Sequence, residues 1–113
     1  MESSLKKLDQ NKYELAIEVG KDELVRYLEI AETRISQGVK INGFRKGKVP
    51  KDMIREKVGN QMILEEALDL ALRDSLAKTI DKERLEVLRV DNLNIKENSP
   101  LKLFYTVQLT MFP

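Results

Sequence analysis

Leu101-Lys102-Leu103-Phe104-Tyr105-Thr106-Val107-Gln108-Leu109-Thr110-Met111 is the stretch on which the fold class turns. Leu101, Leu103, Tyr105, Val107, Leu109 and Met111 alternate with Lys102, Phe104, Thr106, Gln108 and Thr110. A period of two belongs to a strand with one face on a core. Tyr13, Leu15, Ile17 and Val19 repeat the pattern near the other end, alternating with Glu14, Ala16 and Glu18. Leu5 to Asp9 reads as a weaker hairpin partner turning at Gln10-Asn11. Asp91-Asn92 and Asn98-Ser99-Pro100 punctuate the C-terminal end, where two strands are expected.

Between these ends the period changes. Leu24, Leu28, Ala31 and Ile35 fall at helical spacing, with Asp22 and Glu23 in the first turn, where carboxylates oppose the helix dipole, and Gly38 as a stop. Pro50 suits the first residue of a second, short helix, and Gly59 its left-handed end. Asn60 can cap a third helix of about 20 residues, whose apolar stripe is read as Leu64, Ala67, Leu68, Ala71, Leu72, Leu76 and Ile80. Strands grouped at both ends of a helical middle predict an α+β fold, an antiparallel sheet packed against long helices. No repeat, low-complexity segment or linker divides the 113 residues, so a single domain over residues 1–113 is expected.

Composition narrows function. Apolar residues make up 42% and charged residues 35%, as in a soluble globular protein. Cysteine is absent, which removes disulfides, thiolate nucleophiles and thiolate metal sites and suits a reducing cytoplasm. Histidine is absent too, and with it the commonest general acid or base and the commonest metal ligand. No stretch has signal-peptide character or approaches the ~20 apolar residues of a membrane span. A cytoplasmic binding module without cofactor or metal is expected. Glu65, Glu66, Asp69 and Asp74 read as the solvated face of the third helix rather than a carboxylate site. Met53, Ile54 and Val58 read as helix core rather than an apolar binding surface.

The net charge of +1 conceals a polarity. Residues 40–57 hold seven basic side chains, Lys40, Arg45, Lys46, Lys48, Lys51, Arg55 and Lys57, against Asp52 and Glu56. In their midst lies Gly43-Phe44-Arg45-Lys46-Gly47-Lys48-Val49-Pro50. It is no nucleotide-binding P-loop: three residues separate the glycines where four are needed, Val49 stands in place of the magnesium-binding hydroxyl, and a helix leads into it. Instead, two glycines let the backbone turn back around an aromatic side chain beside Arg45, Lys46 and Lys48. Aromatics and Arg dominate interface energies, and surrounding charges steer the encounter. A partner rich in RNA suits such a surface.

Asn42 through Pro50 resembles the signature of the bacterial trigger factor family, the chaperone that meets nascent chains at the ribosomal exit tunnel. The resemblance is unbroken from Gly43 through Pro50. It extends over the whole chain as a pattern, matching the order and length of that family's N-terminal ribosome-binding domain. It implies that Phe44, Arg45 and Lys46 form the ribosome-docking triplet, reaching a protein at the tunnel rim and adjacent RNA of the large subunit. Gly43, Gly47, Lys48 and Pro50 match the supporting loop. It further implies a longer protein with a peptidyl-prolyl isomerase domain and a helical chaperone domain, nascent polypeptide as a client, and a homodimer off the ribosome. This chain itself is expected to perform no chemistry. A stand-alone RNA-binding domain using the same loop is the alternative. RNA readers usually interleave several aromatics for base stacking, whereas this patch holds Phe44 alone.

Overall fold

The computed structural model describes residues 1–113. Its elements run β1 (Glu2–Asp9), β2 (Lys12–Gly20), α1 (Lys21–Gly38), α2 (Lys51–Val58), α3 (Asn60–Lys82), β3 (Val87–Asn98) and β4 (Lys102–Met111). The four strands form one antiparallel sheet in the order β1-β2-β4-β3. This is the α+β class that the alternation predicts. No helix is long and apolar enough to cross a membrane. The chain divides into two compact units, one of residues 1–24 and 73–113, the other of residues 25–72.

The first unit is built on the two most regular strands. Leu15 pairs with Val107, Ile17 with Tyr105 and Val19 with Leu103, and all six side chains are almost fully buried. Paired residues share a face, so the two alternating patterns merge into one apolar surface. Each such side chain contributes on the order of 1.5–3 kcal/mol by leaving water. The C-terminal part of α3 supplies buried Ser75 and Thr79 to this unit, and Ser75 Oγ lies 2.6 Å from the Tyr105 hydroxyl. That hydrogen bond satisfies the phenol tip, while burial pushes the Tyr105 pKa above its ordinary value.

The hairpin of β1 and β2 turns at Gln10-Asn11 as expected, with Gln10 N–H donating to Asp9 Oδ1 at 2.8 Å. Asn98-Ser99-Pro100 also turns, Ser99 N–H donating to Lys102 O at 3.0 Å. Asp91-Asn92, read as punctuation, instead lies inside β3. The register with β4 slips between Asp91 and Asn94, and Asn92 has a φ of 54°. This is a bulge, and Asn is among the few side chains that tolerate that conformation. Asn92 Nδ2 donates to Gln108 Oε1 on β4 at 2.7 Å, holding the irregularity in place.

The second unit buries Tyr27, Ala31 and Glu32 from α1, Val49 ahead of α2, Ile54 from α2, and Ile63 and Ala71 from α3. Two of the stripes differ from expectation. On α1, Ala31 is buried but Leu28 and Ile35 are only half-buried, and Tyr27 turns inward. On α3, Leu64 is 54% exposed, whereas its neighbour Ile63 is buried. The buried positions of this helix, 63, 71, 75 and 79, follow a row of i+4 steps that includes Ser75 and Thr79. Apolar residues surround α3 on nearly every side, so polarity alone does not fix its rotation. Small side chains along one row allow close packing, and packing decides.

Candidate functional site

The segment from Ile41 to Lys48 consists of two consecutive turns. Phe44 N–H donates to Ile41 O at 3.1 Å, and Lys48 N–H donates to Arg45 O at 2.9 Å. In each turn the third residue is glycine with positive φ, Gly43 at 92° and Gly47 at 83°, while Asn42 and Lys46 before them keep negative φ. That is the pattern of a type II turn, which requires the left-handed region at its third position. A Cβ on either glycine would meet nothing within 4 Å. The requirement is therefore conformational, not a matter of space.

Phe44 closes the first turn and Arg45 opens the second, so the expected triplet sits at the junction. Phe44 is 39% exposed, and Arg45, Lys46, Gly43, Gly47, Lys48 and Pro50 are exposed as well. Arg45, Lys46 and Lys48 form no ion pair, which leaves three cations around one half-exposed aromatic ring. Chemically the tip can offer a bidentate guanidinium, two ammonium point charges and an apolar face.

Two structural elements hold this tip. Pro50 occupies the N-cap position of α2 rather than its first turn, with φ −58° and ψ 144°, and its carbonyl accepts from Met53 and Ile54 N–H. Val49, just before it, is buried and anchors the descending strand of the loop. Beyond the loop, Arg55 Nη2 of α2 lies 2.7 Å from Glu32 Oε1 of α1. Glu32 is only 5% exposed. A buried carboxylate needs a partner, and Arg55 supplies it while keeping part of its guanidinium in water. The hydrogen bond to Glu32 raises the Arg55 pKa. The pair clamps together the two helices that flank the loop. Sequence reasoning missed the burial of Val49 and this pair; it counted Arg55 only as one of the seven basic side chains of residues 40–57. Glu32 lies at i+1 from Ala31, on the edge of the apolar stripe, and that was the available signal.

Gly59, which ends α2, has φ 81° but ψ 154°, an extended conformation reserved for glycine rather than the left-handed helical one expected. Its N–H still donates to Arg55 O at 2.8 Å. Ile54 is buried as expected, whereas Met53 and Val58 are half-buried and Met53 lines an open groove, so of this trio only Ile54 is core.

Comparison with known proteins agrees with these features. The family model for the bacterial trigger factor protein matches residues 1–113. A trigger factor of Natranaerobius thermophilus is 29% identical over 112 residues, covering 96% of this chain and 25% of that protein. One from Beutenbergia cavernae is 32% identical over 116 residues, covering 100% of this chain and 25% of its own length. The chain thus spans about a quarter of the curated relatives it matches. Among solved structures, a trigger factor chaperone studied for promiscuous substrate recognition in folding and assembly superposes with a TM-score of 0.71 at 25% identity, over 98% of this chain and 26% of that one. A trigger factor chain from Thermotoga maritima gives 0.60 at 28% identity, over 88% of this chain and 85% of that one. With its sheet order, its three helices and its glycine-bracketed loop, the chain belongs to the bacterial trigger factor family, as the N-terminal domain.

Proposed function

We propose that this domain docks a chaperone on the large ribosomal subunit, with Phe44, Arg45 and Lys46 as the contact and Gly43, Gly47, Lys48 and Pro50 as the loop that presents them. The observation that carries the proposal is the pair of glycine turns, which present a half-exposed aromatic ring beside three unpaired cations. Such a tip suits a rim of protein and RNA: the ring fills an apolar pocket, the guanidinium pairs with carboxylate or phosphate, and the lysines steer. In this reading the domain works in the cytoplasm, binds reversibly and performs no chemistry, holding the rest of a longer chaperone over emerging polypeptide. The isomerase activity that the resemblance implies belongs, in the same reading, to another part of a longer protein, not to residues 1–113.

Ribosome co-sedimentation tests the reading. The triple substitution Phe44→Ala, Arg45→Ala, Lys46→Ala should abolish binding while thermal melts stay nearly unchanged, because exposed loop side chains contribute little to folding. Retained binding by the folded triple variant would remove the assignment.

A further inference from the structure

Beside the loop, within the unit of residues 25–72, an open groove of about 470 Å³ is lined by Lys40, Ile41 and Asn42 on one side and by Met53, Glu56 and Lys57 of α2 on the other. Its size falls in the range of sites that receive a small ligand or a few side chains. Ile41 and Met53 are half-buried and give it an apolar floor, while Lys40 and Lys57 are exposed at its rim and make no ion pair. Neither lysine belongs to the glycine-bracketed loop.

We propose that this groove is a second docking pocket, and that its occupant is an acidic protein segment that inserts an apolar side chain between Ile41 and Met53 and pairs its carboxylates with Lys40 and Lys57. The inference rests on the docking reading above and names the class of partner that would lie beside the tip. Three observations select this occupant.

First, the floor is aliphatic. Ribonucleotide bases are gripped by stacking on aromatic rings or guanidinium planes, and the groove lining contains neither. A Met thioether next to an Ile is instead an adaptable surface for an aliphatic or aromatic side chain. Second, Glu56 stands in the same lining. A phosphate backbone carries a charge at every nucleotide and cannot omit one opposite that carboxylate, whereas a peptide can place one or two carboxylates against the lysines and a neutral residue opposite Glu56. Third, the groove is continuous with the tip. Ile41 accepts the hydrogen bond that closes the first turn at Phe44. Turn closure keeps those two Cα atoms within about 7 Å. A partner that seats Phe44 is therefore already beside Ile41, and extending the contact needs no rearrangement of the loop.

The test has two arms on the 113-residue chain and intact ribosomes. In the first, a benzophenone amino acid replaces Glu56, which is exposed on the groove wall, and bound ribosomes are irradiated. The expected adduct is with a protein of the large subunit, is removed by protease and not by ribonuclease, and maps to a segment containing Asp or Glu. In the second, the double variant Lys40→Glu, Lys57→Glu should bind ribosomes about tenfold more weakly at low salt with an unchanged melt, in line with losing two charge contacts. If that variant melts earlier, the crosslinking arm alone decides. A ribonuclease-sensitive adduct, an adduct on a basic segment, no adduct while the chain co-sediments, or unchanged binding by the folded double variant overturns the groove proposal and leaves the docking loop standing. Failure of the unmodified chain to co-sediment defeats the docking reading, and the groove with it.

Discussion

Phe44 and Lys48 lie four residues apart in the same pair of turns, yet they should contribute to binding in different ways. Phe44 is half-exposed and apolar, the character of a central anchor, whose loss costs on the order of 2 kcal/mol and acts chiefly through faster dissociation. Lys48 is exposed and unpaired, so its charge should act through long-range attraction and counterion release. Across a salt series of ribosome co-sedimentation, Phe44→Ala should weaken binding by a similar factor at every salt concentration. Lys48→Ala should lower affinity most at low salt and flatten the slope. Parallel salt slopes for the two variants would contradict this division. Gly47→Ala tests the turn itself: with φ at 83° and no neighbour within 4 Å, the cost is strain of about 1–2 kcal/mol and no clash. It should lower binding more than it lowers the melting temperature, because the loop can relax without unfolding the core.

Tyr105 offers a test at the same scale in the sheet. Burial raises its pKa above the ordinary value near 10, with the hydrogen bond shared with Ser75 acting in the opposite direction. A phenol whose folded pKa exceeds its unfolded one contributes stability that is complete below the unfolded value and is lost as pH rises through the folded one. Lys102, raised by its hydrogen bond to Glu18 and by the nearby Glu97, changes in the same direction. Stability should therefore fall above about pH 10. Denaturant titrations of Tyr105→Phe should show a shallower fall over that window, and an identical pH profile would rule out the phenol as a contributor.

At the scale of elements, one ion pair bridges α1 and α2. Glu32→Ala removes the closer of the two carboxylates paired with Arg55, the other being Asp52 at 3.9 Å, and opens a small void, while Arg55→Ala leaves Glu32 as a buried carboxylate without its charge partner. Leaving a buried charge unpaired is the costlier change. Arg55→Ala should thus destabilise more than Glu32→Ala, even though Arg55 is the more exposed of the two. Chemical denaturation of both single variants and the double gives the coupling, and the double should be no less stable than Arg55→Ala. A larger loss for Glu32→Ala would mean that the pair matters for packing rather than for charge.

At the scale of the molecule, the alternating runs in β2 and β4 were fully legible, because a period of two leaves only one way to bury an apolar face. The glycine-bracketed loop was legible too, since the turn geometry there depends on local backbone freedom that only Gly43 and Gly47 supply. The composition of the loop likewise identifies which side chains can be unpaired and cationic. Three things were decided by tertiary structure. The rotation of α3 was settled by close packing along the row of Ile63, Ala71, Ser75 and Thr79, which a helix apolar on most sides does not disclose. The bulge at Asn92 arose from pairing with β4, since the same Asp-Asn dipeptide reads as a turn in isolation. The pairing of Glu32 with Arg55 joins residues 23 positions apart, and no local pattern records which of the basic side chains a buried carboxylate selects. Periodicity and backbone freedom are properties of neighbouring residues and are written in the sequence, whereas packing, register and charge pairing depend on segments that only folding brings together.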